Sequence, residues 1–281
     1  MGRKVARPAF SFWEIYNRPV GFAGCASAKA LAGRSAYAAA TLLLTATLPV
    51  HGAGVSDRTS RVLPIAAGTP IRIDATVADV VITGSTRSDL LVEVERRVPA
   101  RDDLARLPVT IDSAPDGVHI AVVQERDARN PDVKATITIA APADADLRSV
   151  RVFEGSVRLT NLTRACDVDL RRGAIDADRL AGRIRLESGL GGIEVRDSEL
   201  TPDGVMRLRV FNGPLRVRFA RRPANARILA VTLNGAIASE IPLTIKDQFG
   251  PRFGESTLGS GNPLLSADVV KGDITLSVAK R

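Results

Sequence analysis

The sequence predicts an all-β fold, a β-solenoid of stacked 18–22-residue coils preceded by an irregular β region that acts as an N-terminal cap. Three observations predict it. One short phrase recurs six times, and each copy is centred on a glycine. Apolar residues alternate on both sides of that glycine, which is the period of a strand that buries one face.

The central glycines set the length of the repeat. The second residue after every one of them is aliphatic, and the alternation changes parity at the glycine itself. A turn with a positive φ allows such a change, and glycine adopts it without a steric penalty. The first five glycines are spaced 18, 18, 22 and 22 residues apart, and the sixth follows a longer excursion: Gly155, Gly173, Gly191, Gly213, Gly235 and Gly272.

Two geometries satisfy this pattern, a two-residue hairpin and a corner between two strands of a solenoid coil. A hairpin would place Arg151 opposite Arg158 and Asp169 opposite Asp176, and directly opposed like charges destabilise a sheet. In a solenoid the same residues stack in separate columns, with neighbours about 4.8 Å apart, and two of the three contacts in each column become attractive. The solenoid is therefore favoured. The columns are Arg151, Asp169, Glu187 and Arg209, and Arg158, Asp176, Glu194 and Arg216.

Residues 1–53 are predicted to be a secretory leader. A basic region is followed by a largely apolar run over 35–50 and then by small residues suited to cleavage. An uncleaved membrane anchor is the alternative. With six basic residues and one acidic residue, the leader contributes +5 of the formal net charge of +8, so the basic balance does not indicate a nucleic-acid partner.

The remaining chain divides into two regions. Residues 54–145 contain strand patterns without the period of the repeat, as expected of a cap, and a possible short helix over 101–107. Asp116-Gly117 indicates a turn, and 125–132 a polar loop. Residues 146–281 form the predicted repeat domain, which a glycine-rich loop over 245–261 interrupts.

The phrases VFEGSVRL, VFNGPLRV and VTLNGAIAS, together with the closing segment FGPRFGESTLGSGNPLLSADVVKGDITL, resemble the bacterial DUF4097 family of adhesin-like, β-strand-repeat envelope proteins. The resemblance covers roughly Pro70 to Val278. It implies an all-β, solenoid-like domain with no established catalytic chemistry, and it supplies no catalytic residues. The chain departs from the family pattern at Ala78, where a glycine would be expected.

No catalytic residue, cofactor site or metal site is predicted. The pairs Asp169/Glu187 and Asp176/Glu194 could act as an acid/base pair or hold Ca²⁺ if they stack, but arginines flank both pairs, which favours a charge-balanced solvent face. His119 is the single histidine after the leader. No GxSxG nucleophile motif accompanies it.

The thiol chemistry is equally limited, because Cys166 is the single cysteine after the leader. A His/Cys metal centre is therefore not expected. Cys166 is predicted to be a small buried apolar residue.

A basic cluster follows the fourth phrase and forms a weak candidate interaction surface for anionic glycans or lipid headgroups. A solvated wall explains the same residues without a ligand. The cluster consists of Arg216, Arg218, Arg221 and Arg222.

The sequence thus predicts an exported, non-enzymatic interaction module of the periplasm or cell surface. Its expected partners are an envelope glycan, an anionic lipid or another envelope protein, and self-association through strand edges is a further expectation. Two alternatives stay open: a glycan-active β-helix enzyme that uses the stacked carboxylates, and a membrane-anchored envelope-stress sensor.

Overall fold

The protein is an all-β chain, as the sequence predicts. The computed structural model describes residues 54–124, 132–246 and 250–280, so the predicted leader and most of the predicted polar loop lie outside the described residues. A 3-10 helix, Arg101–Arg106, stands where the short helix was expected. The strands are β1 (Val55–Pro64), β2 (Pro70–Ser85), β3 (Asp89–Val98), β4 (Val109–Ala114), β5 (Gly117–Val122), β6 (Lys134–Pro142), β7 (Asp146–Leu162), β8 (Ala165–Arg172), β9 (Ile175–Leu180), β10 (Arg183–Leu190), β11 (Ile193–Ser198), β12 (Val205–Asn212), β13 (Leu215–Phe219), β14 (Ala226–Asn234), β15 (Ile237–Ser239), β16 (Thr244–Lys246), β17 (Arg252–Leu258), β18 (Leu264–Lys271) and β19 (Ile274–Val278).

The strand pairings define two walls that share the long strands β2 and β7. The first wall contains, in order, β4, β5, the first halves of β2 and β7, β8, β10, β12, β18, β14, β17 and β16. The second wall contains β1, β3, β6, the second halves of β2 and β7, β9, β11, β13, β19 and β15. Each glycine-centred phrase therefore contributes one strand to each wall.

The strand register excludes one of the two geometries that the repeat pattern allows. Arg151 lies between Asp74 on one side and Asp169 on the other, in parallel pairs. On the second wall, Arg158 lies opposite Asp176 of the next phrase. The hairpin, which required Arg151 to face Arg158, is therefore wrong, because both neighbours of Arg151 come from other phrases.

Aliphatic side chains fill the space that the alternating residues face. In five of the six phrases the second residue after the glycine is at most 1% exposed: Val157, Ile175, Ile193, Leu215 and Ile274. Burial of such side chains contributes roughly 1.5–3 kcal/mol each. In the remaining phrase Ile237 is half-buried, because its strand β15 lies at the edge of the second wall.

The central glycines form a column of very close backbone contacts. A Cβ at Gly173 would lie 1.6 Å from the carbonyl oxygen of Gly155, and a Cβ at Gly191 would lie 2.0 Å from that of Gly173. Both glycines also have a positive φ, as predicted. Ala78 lies opposite Gly155 at the foot of this column, at the position where the family resemblance implies a glycine.

Gly235 departs from the predicted turn conformation. Its φ is not among the positive values of the described glycines. A Cβ there would still lie 2.0 Å from the carbonyl oxygen of Gly272. Close approach of the neighbouring backbone, and not the sign of φ, therefore requires a glycine at this position.

The phrases do not stack in chain order throughout. The first four do, but β18 and β19 of the sixth phrase lie between the strands of the fourth and those of the fifth. The expectation that each phrase stacks on its successor is thus wrong at the fifth phrase. The glycine column follows the same order, since Gly272 contacts Gly213 on one side and Gly235 contacts Gly272 on the other.

Antiparallel strands flank the parallel strands at one end of both walls and at the other end of the first wall. At one end β4 pairs with β5, and β1 and β3 extend the second wall. The turn predicted at Asp116-Gly117 joins β4 to β5. At the other end β17 pairs with β14, and β16 pairs with β17. No helix among the described residues has the length and apolarity needed to cross a membrane.

Gly191→Ala is expected to lower the free energy of unfolding by about 3 kcal/mol or more, because the new methyl group would collide with a neighbouring backbone oxygen and the positive φ would be strained. Gly250→Ala is the matched control. Gly250 has φ +133° against +132° at Gly191, but nothing lies within 4 Å of its would-be Cβ.

The control should therefore lose only the conformational term of about 1 kcal/mol. Urea unfolding of the two variants measures the difference. Equal losses would contradict the close-contact explanation of the column.

Candidate interaction surface

Charged side chains line the outer faces of both walls, and the strand registers set their order. On the first wall a single column runs through neighbouring strands as Asp74, Arg151, Asp169, Glu187, Arg209 and Asp268. Opposite charges are neighbours everywhere in this column except between Asp169 and Glu187. The alternation extends beyond the four residues that the sequence repeat indicates, since it includes β2 and β18.

The ion pairs do not simply follow these columns. One of the contacts predicted between column neighbours is present: Arg158 Nη2 lies 3.8 Å from Asp176 Oδ2. Other arginines turn sideways along their own strand, as Arg196 does towards Glu194 at 3.4 Å. Arginine side chains are long and exposed, so they reach carboxylates two residues away as easily as those on the next strand. Exposed pairs of this kind contribute about 0–1 kcal/mol each.

The predicted basic cluster is partly neutralised. Arg218 donates two hydrogen bonds to the carboxylate of Asp197, at 2.8 and 3.2 Å, and this bonding raises the pKa of Arg218. Arg221 forms an ion pair with Glu199 at 3.0 Å. Arg216 lies opposite Glu194 in the register. Arg222 is exposed, so this surface offers less uncompensated positive charge than its sequence indicates.

The first carboxylate pair, Asp169 and Glu187, disfavours the ionised form of Asp169. Burial, and then repulsion from Glu187, raise the pKa of Asp169, although Arg171, Arg151 and Arg185 partly offset both effects. Asp169 nevertheless keeps solvent access. A general acid needs a raised pKa of this sort, but it also needs a pocket around it. Asp169 and Glu187 line neither the cleft of about 740 Å³ nor the cleft of about 470 Å³ that the described residues form.

The second carboxylate pair, Asp176 and Glu194, lies opposite in parallel register. Each member has an arginine close by, Arg158 at 3.8 Å from Asp176 and Arg196 at 3.4 Å from Glu194. This arrangement is typical of a charge-balanced surface. Among the described residues no group of three or more His, Cys, Asp or Glu side chains is placed to hold a metal ion.

His119 contacts a carboxylate, and Cys166 is buried in the core. His119 Nε2 lies 2.9 Å from Asp74 Oδ2, and Asp112 stands opposite His119 in the antiparallel register. Cys166 is 4% exposed, and burial raises the pKa of its thiol. It is therefore a buried apolar residue, as predicted, and its thiolate form is strongly disfavoured.

A groove that the sequence reading missed lies where β7, β8, β10 and β12 of the first wall begin. It has a volume of about 740 Å³, and five arginines and three aspartates line it. The repeat pattern indicates part of this groove. Arg185 and Arg207 stand opposite each other on neighbouring strands, and Arg183 precedes Arg185 by two residues. Arg148, near the beginning of β7, and Arg164, in the turn between β7 and β8, line the same groove.

No family model matches the chain, and no curated protein matches it. Similar solved structures include a putative cell adhesion protein from Clostridium sporogenes, 11% identical, covering 79% of this chain and 100% of that one with a TM-score of 0.47. A putative adhesin from Bacteroides fragilis is 14% identical, with 79% and 97% covered and a TM-score of 0.39. A putative lipid binding protein from Parabacteroides distasonis is 11% identical, with 80% and 97% covered and a TM-score of 0.26. Each score is below 0.5, so the family resemblance noted in the sequence stays an expectation.

Asp169→Asn is expected to raise the melting temperature at pH 7. Because the pKa of Asp169 is raised in the folded state, the folded chain binds this proton more tightly than the unfolded chain does. The free energy of unfolding therefore falls as pH rises from the ordinary aspartate pKa, about 3.9, through the raised value. The asparagine removes that penalty, and its advantage should vanish below about pH 4.

Asp176→Asn is the control, since Arg158 lies beside that carboxylate and no gain is expected from its removal. Thermal melts of both variants at several pH values test the prediction. A gain for Asp169→Asn that is independent of pH would contradict it.

Proposed function

We propose that this protein is an exported, non-enzymatic β-solenoid that serves as an interaction module at the cell envelope or cell surface, in the manner of an adhesin. The observation that carries the proposal is the parallel pairing of strands from different phrases, which repeats outward-facing side chains at the strand spacing of about 4.8 Å over many strands. A long, regular, charged wall of this kind suits an extended partner.

The division between the inside and the outside of the stack supports a binding role. Interior positions hold buried aliphatic residues such as Leu159, Leu186 and Leu208. Outward positions on the same strands carry arginine and acidic residues, for example Arg185 and Asp167. The surface therefore supplies the chemical variety, as in other repeat proteins that bind partners along one face.

The stacked carboxylates give the enzyme alternative little support. Glycosidic cleavage needs one protonated and one ionised carboxyl group on either side of a bound substrate. Asp176 and Glu194 lie in neighbouring positions on an exposed face, each near an arginine, and neither lines a cleft described here. A non-enzymatic role is therefore the better proposal.

Export rests on the sequence of residues 1–53, with its basic region, apolar run and small residues before the first strand. The full chain carrying a C-terminal tag is expected to appear in the periplasm or at the surface of a bacterial host with two membranes. Its mature N-terminus should begin near residue 53 by mass spectrometry.

Cytosolic protein that begins at Met1 would contradict export. Protein kept in the membrane fraction after a carbonate wash would favour the anchored sensor instead. Cleaved protein that stays attached to the outer surface would support the adhesin-like form of the proposal.

A second experiment tests the absence of catalysis. The purified protein is expected to produce no new reducing or unsaturated ends from acidic polysaccharides. Asp176→Asn and Glu194→Gln should therefore behave as the unchanged protein does. Turnover that either substitution abolishes would make the chain an enzyme, because both substitutions remove the ionisable oxygen that acid/base chemistry requires.

A further inference from the structure

The groove at the beginning of the first-wall strands differs in charge from the rest of the surface. Among its lining residues arginines outnumber aspartates five to three. Two of the arginines are neutralised: Arg148 lies 2.6 Å from Asp146, and Arg185 lies 3.3 Å from Asp167. The other three, Arg164, Arg183 and Arg207, form no ion pair with any described residue.

The arginines without ion pairs are held by a rigid backbone. The amide of Arg183 donates to the carbonyl of Arg164 at 2.7 Å, which joins two successive turns. Gly182, between them, has φ +89°, and a Cβ there would lie 2.2 Å from the carbonyl oxygen of Arg164. Glycine therefore lets the turns pack closely and leaves this part of the groove floor without a side chain.

The sheet sets the backbone spacing of the arginines that carry these guanidinium groups. Arg207 stands opposite Arg185 on the neighbouring strand, about 4.8 Å away, and Arg183 lies two residues before Arg185, about 6.6 Å along the strand. The guanidinium group of Arg164 lies beside Gly68. A Cβ atom built on Gly68 would lie 3.0 Å from Arg164 Nη2. The positive groups therefore extend across several strands instead of converging on one point.

The chemistry of this groove indicates the class of ligand. Guanidinium groups bind carboxylate, phosphate and sulfate groups in a bidentate manner. Carboxylates such as Asp167 and Asp203, on the same lining, can accept hydrogen bonds from hydroxyl groups but would repel a dense phosphate backbone. A polymer that carries both spaced acid groups and many hydroxyls matches this combination better than a nucleic acid does.

We propose that this groove binds an acidic polysaccharide, with Arg183, Arg207 and Arg164 engaging its acid groups and the groove aspartates accepting hydrogen bonds from its hydroxyls. The proposal deepens the interaction role proposed above and rests on it. It moves the binding surface away from the predicted cluster around Arg218 and Arg221, whose charges are already compensated by Asp197 and Glu199.

A smaller cleft among the described residues is a weaker candidate for a binding site. It has a volume of about 470 Å³ and lies where β13 leads into β14. Its Arg221 is paired with Glu199, and Asn262 donates to the carbonyl of Pro202 at 3.1 Å. Its polar groups are thus largely used within the protein.

The test compares the protein produced from the full chain with three double variants. Polygalacturonate is the probe, neutral dextran is the uncharged control, and phosphatidylcholine vesicles with and without phosphatidylglycerol test a lipid surface. Arg183→Ala with Arg207→Ala is expected to weaken binding to polygalacturonate by about 10-fold or more, because two direct charge contacts are lost. Arg216→Ala with Arg222→Ala removes the same charge from the other surface and should change binding by less than about 2-fold.

Replacement of the same groove residues by lysine keeps the charge but removes the planar fork, so an intermediate loss of about 3-fold is expected. Equal melting temperatures show that the variants are folded. Equal weakening by the two alanine pairs, binding to anionic vesicles in place of polygalacturonate, or no binding to any probe would overturn the proposal. Normal export with failed binding would remove this inference alone, whereas groove-dependent binding by a cytosolic protein would remove the proposed export.

Discussion

The structure depends on the close approach of backbone to backbone at the glycine corners. Each phrase must turn from the first wall to the second within one or two residues, directly above the same turn of its neighbour. Would-be Cβ atoms along the column lie 1.6–2.1 Å from a carbonyl oxygen, so no other residue fits without moving a strand. The amide of Gly173 donates to Leu190 and that of Gly191 to Asn212, which extends the hydrogen bonding of the sheet through the corner.

The glycine column in turn fixes what the two walls display. Because every turn lies above the last one, residues at the same distance from the glycine come into register on neighbouring strands, and their side chains form continuous columns. The inward columns are mostly aliphatic and buried, whereas the outward columns are rich in charged, solvent-exposed residues. The acidic residues Asp169 and Glu187 are neighbours in one outward column, and their repulsion contributes to the raised pKa of Asp169.

The turns on the opposite side of the coil, where one phrase returns to the next, create local variation at the groove proposed as a binding site. These turns differ in length and composition, as in 163–164, 181–182 and 199–204. Arg164 of the first turn lies in one groove with arginines of β7, β10 and β12, of which Arg183 and Arg207 form no ion pair among the described residues. The strands are therefore regular in register, whereas the turns that join successive phrases differ from one another.

The sequence by itself determined the all-β class, the buried aliphatic positions and the corner glycines, because strand period and glycine sterics are local properties. It also indicated that Cys166 would be buried. Tertiary structure alone decided that β18 and β19 enter between the fourth and fifth phrases, because every phrase has the same pattern and any two could pair. It decided the arginine groove for the same reason, since Arg148, Arg164 and Arg207 lie in different phrases. Their proximity results from the stacking and not from their spacing along the chain.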